Sequence, residues 1–178
     1  VIYSTQSNVW IQGLEIKSPG SNHPISFVHA VAGWTKISHC ILWGVDNASA
    51  YIYLGQTSAS HKIYIWNNAI YRLGRGLYYA SNNPYSYVYN NSFYHCQYGI
   101  YAPTANRRAL AINNIVVHST TADFYQTSKF HADSDYNVST AGSADPDAAP
   151  GVHSMWGRDA DANFVNTTSG YEDLHVKD

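Results

Sequence analysis

The chain has 178 residues, of which 12% are charged and 15% are aromatic, and it contains sixteen tyrosines but one methionine. This composition disfavours long surface helices, which draw on Lys, Glu, Leu and Ala, and it favours strands joined by polar turns. No apolar run approaches the roughly 18 residues that a membrane span requires, and no signal peptide is recognisable. We therefore expect an all-β chain without a membrane span.

The net charge of −2 conceals an uneven distribution of charged side chains. Residues 47–122 contain five basic side chains and no acidic one, whereas residues 123–178 contain ten acidic and three basic ones. The basic segment could attract an anionic partner, or the acidic tail could fold back and neutralise it. The missing carboxylates argue against a glycoside hydrolase or a calcium-dependent lyase on the central segment, because both chemistries need acidic side chains.

In chain order, two imperfect copies of one pattern come first, at residues 8–16 and 35–44. Ile11 and Ile37 align with Ile65 of the next copy, at uneven intervals that leave room for longer connections. Residues 63–72, 86–95 and 109–118 (IYIWNNAIYR, SYVYNNSFYH and ALAINNIVVH) then align without a gap at a period of 23. A fixed period in the twenties marks a solenoid, in which each repeat buries its apolar face against its neighbours.

A further partial copy follows at residues 129–138, where Asn137 lies one full period beyond Asn114. Residues 139–150 are rich in Ala, Gly, Ser, Asp and Pro, which end the repeat. We therefore predict parallel β-helix coils over residues 1–138 and an irregular acidic C-terminal tail over residues 139–178 that packs on the helix.

Within one coil, the pattern fits three short strands. Residues 63–67 alternate apolar inward and aromatic outward positions, which is the period of a half-buried strand. Asn68 is expected to take the sharp left-handed corner, because Asn tolerates that conformation. Residues 69–73 form a second strand, residues 74–76 a turn and residues 77–80 a third strand. Three strands per coil, each pairing with the coils above and below, make a parallel β-helix of about five to six coils.

The paired asparagines between apolar strands at 67–68, 90–91 and 113–114 are followed by SDYN at 134–137, NFVN at 163–166 and YEDLH at 171–175. This pattern resembles the right-handed parallel β-helix proteins of the pectin-lyase-like superfamily. The resemblance covers nearly the whole chain and implies a right-handed parallel β-helix. It leaves activity open, because the superfamily includes polysaccharide lyases, glycoside hydrolases, viral tail spikes and surface proteins without catalysis. Its members usually begin with a capping helix, which is not visible here.

Stacked coils convert the repeat into ladders of like residues about 4.8 Å apart. One ladder is expected to hydrogen-bond along the inside of a turn, and its members are Asn68, Asn91, Asn114 and Asn137. Gly76 and Gly99 are expected to serve the opposite turn. Cys40 and Cys96 lie two coils apart in this register, roughly 10 Å, which exceeds the ~7 Å limit between the Cα atoms of a disulfide. We therefore predict two buried free thiols.

Outward aromatic side chains and neighbouring cationic ones form further rows. Aromatic rings on a rigid surface suit stacking on sugar rings, and Arg pairs with carboxylates or sulfates in a planar fork. The alternative is a structural role, in which the rows stabilise the sheets or are covered by the tail. The predicted ligand-binding residues are Trp66, Tyr71, Arg72, Arg75, Tyr78, Tyr89, Tyr94, His95, Tyr98, Tyr101, Arg107, Arg108 and His118.

Three of these residues, Arg72, Tyr94 and His95, are also candidates for catalysis of β-elimination. Tyr or His would abstract a proton while Arg neutralises the carboxylate of the substrate; a solvated polar edge at a turn is the alternative. Asp133 with Asp135 is the best remaining carboxylate pair, although such residues in an end coil more often cap backbone groups. No zinc spacing and no complete calcium loop is present, so we predict no metal and no cofactor.

Three functions remain open on this pattern. The first is a non-catalytic secreted or surface module, extracellular or at the cell surface, that binds polysaccharide, including acidic polysaccharide. We expect no nucleic-acid partner. The second is a calcium-independent polysaccharide lyase. The third is a self-assembling structural or fibre element whose end coils expose strand edges to another chain, which the lack of a visible capping helix favours.

Overall fold

The computed structural model describes residues 2–18, 20, 23–27, 32–55, 60–80, 85–103, 109–142, 144–158, 164–166 and 173–176. These residues form a β-solenoid of about five turns, so the predicted parallel β-helix is confirmed. The strands are β1 (Ile2–Ser4), β2 (Val9–Gln12), β3 (Glu15–Lys17), β4 (Ile25–Phe27), β5 (Gly33–Ser38), β6 (Ile41–Leu54), β7 (His61–Trp66), β8 (Ala69–Tyr79), β9 (Tyr85–Tyr89), β10 (Ser92–Tyr94), β11 (Tyr98–Tyr101), β12 (Ala109–Ile112), β13 (Ile115–Val117), β14 (Ala122–Tyr125), β15 (Val138–Ser139), β16 (Phe164–Asn166) and β17 (Asp173–Val176). A short 3-10 helix covers Thr127–Lys129. Within these ranges no helix is long and apolar enough to cross a membrane.

Two parallel sheets carry the coils. The five-stranded sheet has the order β2-β5-β7-β9-β12, and a ten-stranded sheet is built around β1-β4-β6-β8-β10-β13-β15, with β3, β11 and β14 attached to it. In the five-stranded sheet Ile11 pairs with Ile37, and Ile37 pairs with Ile65. The alignment of these three isoleucines that the sequence predicts is therefore confirmed.

The core lies between the sheets and follows from the alternation of side chains along each strand. Ile63 and Ile65 of β7 are fully buried, while Tyr64 between them is partly exposed. Leu77 of β8 and Ile100 of β11 belong to the same buried cluster. Burial of one such aliphatic side chain contributes roughly 1.5–3 kcal/mol, so a column of them holds successive coils together.

Each regular coil turns sharply at two corners. At the first corner, between the five-stranded sheet and the next strand, the left-handed residues are Gly13, His39, Asn67, Asn90, Asn113 and Tyr136. The expectation that Asn68 takes this conformation is wrong, because the left-handed residue is Asn67 (φ 54°), the first of the pair. Its side chain is exposed, whereas the amide of Asn68 is buried under the turn.

At the second corner the left-handed residues are Arg72, His95 and His118, with φ of 55°, 50° and 55°. Gly76 and Gly99 do not form this turn, contrary to expectation; they lie within β8 and β11. A Cβ atom at Gly99 would lie 2.1 Å from Val116 Cγ1 and 2.6 Å from the Asp123 carbonyl oxygen. These glycines are therefore required by the close approach of the next coil.

Beyond the last regular coil the chain closes the C-terminal end of the stack. The cap, residues 139–142 and 144–158, extends the pairing past position 138: Val138 bridges to Met155, and the Met155 amide donates to the Asn137 carbonyl at 2.7 Å. Phe164 of β16 is 1% exposed and packs against the body of the solenoid. Cys40 and Cys96 are both buried and free, as predicted.

Candidate binding surfaces

The asparagine column is a buried hydrogen-bonded ladder. Asn91 shows the pattern: its Oδ1 accepts from the backbone amide of Asn68 at 3.1 Å and from Asn68 Nδ2 at 2.9 Å. Its own Nδ2 donates to the carbonyls of Ile65 and Tyr89, each at 3.0 Å, and to Asn114 Oδ1 at 3.0 Å. Each member is at most 3% exposed, so this ladder is enclosed structure.

The ladder begins and ends on different groups. The Cys40 amide donates to Asn68 Oδ1 at 3.0 Å, and the Asn137 amide donates to Ser154 Oγ of the cap at 2.9 Å. The ladder thereby supplies partners to buried polar groups along this corner, which avoids the roughly 1–3 kcal/mol that an unsatisfied buried group costs. It also fixes the spacing of the strands that carry the outward side chains.

The outer face of the five-stranded sheet carries an aromatic and basic surface, which we call the first aromatic surface. Its members are Trp10, Trp34, Lys36, Lys62, Tyr64, Trp66, Tyr85, Tyr87 and Tyr89. All are partly or fully exposed, with Trp10 at 52% and Tyr85 at 44%. The alternation of β-strand residues places them outward, because their neighbours Ile63, Ile65 and Val88 fill the core.

The rings of the first aromatic surface lie close to one another along the axis of the solenoid. The Tyr64 and Tyr87 rings are stacked at a centroid distance of 4.9 Å with 10° between their planes. Trp66 stacks on Tyr89 at 6.0 Å and lies 6.3 Å from Trp10. Such cross-strand contacts hold the rings in fixed orientations, with the faces of each stacked pair turned toward one another.

The charged side chains of the first aromatic surface are all basic. Lys36 Nζ lies 4.6 Å from the centroid of the Trp34 ring and 5.5 Å from that of Trp10. Among the described residues of β2, β5, β7, β9 and β12, none is acidic. Desolvation, followed by the nearby phenol of Tyr64, raises the pKa of Tyr89. The phenol of Tyr89 thus remains a neutral donor and acceptor at physiological pH.

A second aromatic surface lies on the outer face of β6, β8, β11 and β14. It consists of Tyr53, Arg75, Tyr78, Tyr98, Tyr101 and Tyr125. Arg75 Cζ lies 4.7 Å from the ring centroid of Tyr78 and 4.6 Å from that of Tyr101. Desolvation is the largest influence on Tyr101 and, with the neighbouring phenol of Tyr125, it raises the pKa of Tyr101 even though Arg75 acts to lower it.

The outward row predicted for Tyr71 and Tyr94 is wrong. These side chains are only 6% and 9% exposed, and both belong to one cluster with Val117 and Phe164. Phe164 of the tail packs on Tyr94 edge to face, with ring centroids 5.9 Å apart. Trp43 stacks on Tyr71 at 6.0 Å in the same patch. This part of the solenoid is a small second core between the coils and the tail.

The structure gathers the predicted catalytic residues only in part. Tyr94 lies 5.8 Å from both His95 and His118, between ring centroids, and Arg72 occupies the equivalent corner one coil earlier. Because Tyr94 is covered, its phenol is poorly placed to remove a proton from a polymer in solution. Arg107 and Arg108 lie outside the described residues.

The predicted ligand-binding residues did not include seven members of the first aromatic surface, namely Trp10, Trp34, Lys36, Lys62, Tyr64, Tyr85 and Tyr87, although the repeat already placed Tyr64 and Tyr87 in one outward row. The signal was present: the alignment of Ile11, Ile37 and Ile65 already places Trp10, Lys36 and Tyr64 in one column. The longer connections of the first two coils weakened the repeat there. On the second surface, the 23-residue period places Phe124 of Ala122-Asp123-Phe124 in the row of Tyr78 and Tyr101. Tyr125, one residue later, was therefore missed.

The cap holds a separate polar cluster at the last copy of the first corner. His153 Nδ1 lies 2.6 Å from Asp135 Oδ2, and the His153 ring stacks on Tyr136 at 5.1 Å. Asp133 instead lies beside His131, at 3.6 Å, so the two aspartates serve different partners. Among the described residues no three His, Cys, Asp or Glu side chains converge as metal ligands. In comparisons with known proteins, no family model, no curated protein and no solved structure matches this chain.

Proposed function

We propose that this protein is a non-catalytic polysaccharide-binding module and that the first aromatic surface is its binding site. The observation that carries the proposal is the run of exposed rings across four coils, from Trp10 to Tyr89, on a rigid sheet face. Sugar C–H groups pack against exposed aromatic side chains, while phenol and indole groups hydrogen-bond to hydroxyls. We also propose that this binding takes place outside the cell or at the cell surface.

The basic side chains on the same surface define which polymers suit it. Lys36 and Lys62 stand among the rings, and no acidic residue lies on the described strands of this sheet. Uronate or sulfate groups would therefore meet favourable charge, whereas neutral polymers would bind through the rings alone. Ionic contacts at an exposed surface weaken as salt shortens the Debye length to about 3 Å at 1 M.

The test is affinity electrophoresis in native gels that contain one polymer each: xylan, mixed-linkage β-glucan, hydroxyethylcellulose, polygalacturonate, alginate or chondroitin sulfate. We expect retardation by at least one polymer. The double variant Trp66→Ala/Tyr87→Ala should raise the Kd at least tenfold. As a matched control, Tyr136→Asn removes an exposed ring at the last copy of the first corner and installs the residue found at the equivalent corners Asn67, Asn90 and Asn113.

Three results would overturn the proposal: no retardation by any polymer, equal retardation of the double variant and the wild type, or a steady rise in the ultraviolet absorbance of unsaturated uronate. The third result would restore the lyase. A salt series on the retarding polymer then separates ionic from ring-mediated contact, because the latter persists at high salt.

Self-assembly is a second candidate that one observation favours. β2 is an edge strand, which among the described residues pairs only with β5, and its Trp10 is half exposed. Such an edge can accept a strand from another chain. Sedimentation velocity over a hundredfold range of concentration tests this: a growing sedimentation coefficient supports assembly, and a constant one excludes it.

A further inference from the structure

We propose that Tyr64 and Tyr87 are an oxidative coupling site, at which a one-electron oxidant joins the two phenol rings through a carbon–carbon bond as dityrosine. The bond ties two successive coils together on the outer face of the solenoid. This modification goes beyond the proposed polymer binding and does not depend on it. It requires two rings that are held in contact, are open to an oxidant and have no other oxidisable side chain in their row.

The two rings are held face to face by the register of the five-stranded sheet. Tyr64 of β7 and Tyr87 of β9 are paired across the sheet, so their side chains leave it one strand spacing apart, about 4.8 Å. Their ring centroids are 4.9 Å apart and their planes differ by 10°. The two rings therefore extend in the same direction, which brings the Cε carbons beside one hydroxyl close to those beside the other.

Two phenols in contact can be coupled through those Cε carbons. Each phenol gives one electron to the oxidant and its hydroxyl proton to solvent, and the unpaired electron of the neutral radical is shared between the oxygen and the Cε carbons. Two such radicals pair in a Cε–Cε bond. Each bonded carbon then loses its hydrogen as a proton, and each oxygen regains a proton. With a peroxidase and hydrogen peroxide as the oxidant, two phenols and one peroxide give one dityrosine and two waters.

The pair stands alone in its row. In the register of the sheet, Tyr64 is preceded by Lys36 and Tyr87 is followed by Leu110. Neither an ammonium group nor an aliphatic side chain forms a radical under mild one-electron oxidation, so coupling within this row is confined to the two tyrosines. The Lys36 ammonium lies 4.6 Å from the ring centroid of Trp34 in the neighbouring row. Among the described residues, Tyr64 and Tyr87 form no cation–π contact and no second ring contact.

The pair is also better placed for oxidation than the other stacked pair among the described tyrosines. Tyr64 and Tyr87 are both partly exposed, so an oxidant in water can reach them. Tyr101 stacks on Tyr125 at 4.5 Å with 14° between the planes. There, however, the Arg75 guanidinium carbon lies 4.6 Å from the Tyr101 ring centroid, and its positive charge opposes removal of an electron from that ring. We therefore expect Tyr64 and Tyr87 to couple first.

The coupling has a physical consequence for the fold. Positions 64 and 87 are 23 residues apart, so the new bond closes a loop of one full repeat. A covalent loop lowers the conformational entropy of the unfolded chain. The coupled protein should therefore unfold at a higher temperature than the uncoupled protein.

Treatment of the full chain with a peroxidase and limiting hydrogen peroxide, at low protein concentration, tests the proposal. The wild type should gain dityrosine fluorescence while it migrates as a monomer in a denaturing gel. Tandem mass spectrometry should find Tyr64 joined to Tyr87 with the loss of two hydrogen atoms. Tyr64→Phe and Tyr87→Phe keep the ring and its packing but remove a phenol, so the monomeric yield should fall at least fivefold. Tyr89→Phe is the matched control: its ring stacks on Trp66, and it should give the wild-type yield.

Two findings on the coupled residues would overturn the proposal. One is a cross-link that maps to Tyr101 and Tyr125 in place of Tyr64 and Tyr87. The other is a monomeric yield of dityrosine in Tyr64→Phe and Tyr87→Phe that equals that of the wild type.

Coupling between molecules and the effect on unfolding are read separately. Exposed rings such as Tyr3 and Tyr136, at 66% and 57%, would couple between molecules. Dityrosine that forms only in dimers, and increasingly at higher protein concentration, excludes the site. The same treatment should raise the thermal midpoint of the wild type and leave that of Tyr87→Phe unchanged. Equal midpoints of treated and untreated wild type, with the cross-link present, would show that the bond does not tie the coils together.

Discussion

The two corners of each coil both contain a left-handed residue but differ in the side chain that follows it. At the first corner, Asn67, Asn90 and Asn113 are left-handed and each is followed by a buried ladder asparagine. At the second corner, Arg72 and His95 are left-handed and are followed by Leu73 and Cys96, which are buried without an amide ladder. Both corners have backbone hydrogen bonds between coils, such as that from the Gln97 amide to the Leu73 carbonyl at 2.9 Å, and the first corner adds the buried amide ladder. The left-handed residue therefore does not by itself define the turn.

The largest effect is expected at the inside of the first corner. Asn91→Leu keeps the approximate volume but removes an amide that accepts from Asn68 and donates to Ile65 and Tyr89. Because several buried groups lose partners at once, we expect a loss of about 3–5 kcal/mol in the free energy of unfolding. Urea unfolding followed by circular dichroism measures it.

The matched change at the second corner is Cys96→Ala, which removes one buried sulfur. We expect a cost of only about 1 kcal/mol, from a small cavity. Equal losses in Asn91→Leu and Cys96→Ala would show that the ladder contributes no more than packing does.

A second prediction concerns the close packing beside the second corner. Gly99→Ala would set a methyl group 2.1 Å from Val116 Cγ1, so the next coil must shift. We expect destabilisation of about 2–3 kcal/mol, as for overpacked cores. Gly142→Ala, where no atom lies within 4 Å, is the control and should leave the thermal midpoint unchanged. A similar midpoint for both variants would mean that the coils adjust freely.

A smaller effect is expected from the left-handed residues themselves. His95→Asn should stabilise the fold by about 0.5–1 kcal/mol, because Asn tolerates φ of 50° better than His. Asn90→His, the reciprocal change, should destabilise it by a similar amount. Polymer affinity of His95→Asn reports separately on binding: an unchanged Kd assigns His95 to the turn, and a weakened one assigns it to a site.

The smallest effect is a dependence on pH at the last copy of the first corner. Desolvation acts to raise the pKa of Asp135, but hydrogen bonds from the His153 side chain and from the amides of Tyr136 and His153 outweigh it and lower the pKa below the ordinary 3.8. A lowered pKa in the folded state means that the stabilisation is complete above that ordinary value and is lost as the pH falls through the folded pKa. The thermal midpoint should therefore drop below about pH 4.

Asp135→Asn is the comparison for this titration, since the amide keeps an acceptor and has no charge. Its thermal midpoint should change less than that of the wild type between pH 5 and pH 3. If the two profiles run parallel, other carboxylates account for the acid sensitivity and the His153 contact contributes nothing to it.

The repeat predicted the solenoid and its strand register because both depend on periodic apolar positions, such as Ile11, Ile37 and Ile65. It did not predict which asparagine of a pair is left-handed, since Asn67 and Asn68 have the same intrinsic preference and only the enclosed amide contacts decide between them. The sequence placed Trp66, Tyr89, Tyr78 and Tyr101 outward, as found.

The sequence left open, as one of two alternatives, that the tail covers aromatic rows, but it did not indicate that Tyr71 and Tyr94 are the covered ones. Both have the outward position of a strand. Trp43 of the preceding coil stacks on Tyr71, and Tyr94 is packed by Phe164, which lies far along the chain in the tail, outside any period. Periodic positions in the sequence predict contacts between neighbouring coils. The tail lies outside the period, so its contacts with the coils cannot be predicted from the repeat.

The direction of the asparagine ladder has a consequence for the order in which the chain acquires structure during synthesis. Each ladder oxygen accepts the backbone amide of the coil before it: Asn91 satisfies Asn68, and Asn114 satisfies Asn91. A coil leaving the ribosome therefore waits for 23 further residues before its inner corner is complete. The last amide, on Asn137, waits for Ser154. Each inner corner is thus completed only after the following coil has been synthesised, and the cap completes the last one. Residues up to 154 are therefore necessary for the corner at residue 137.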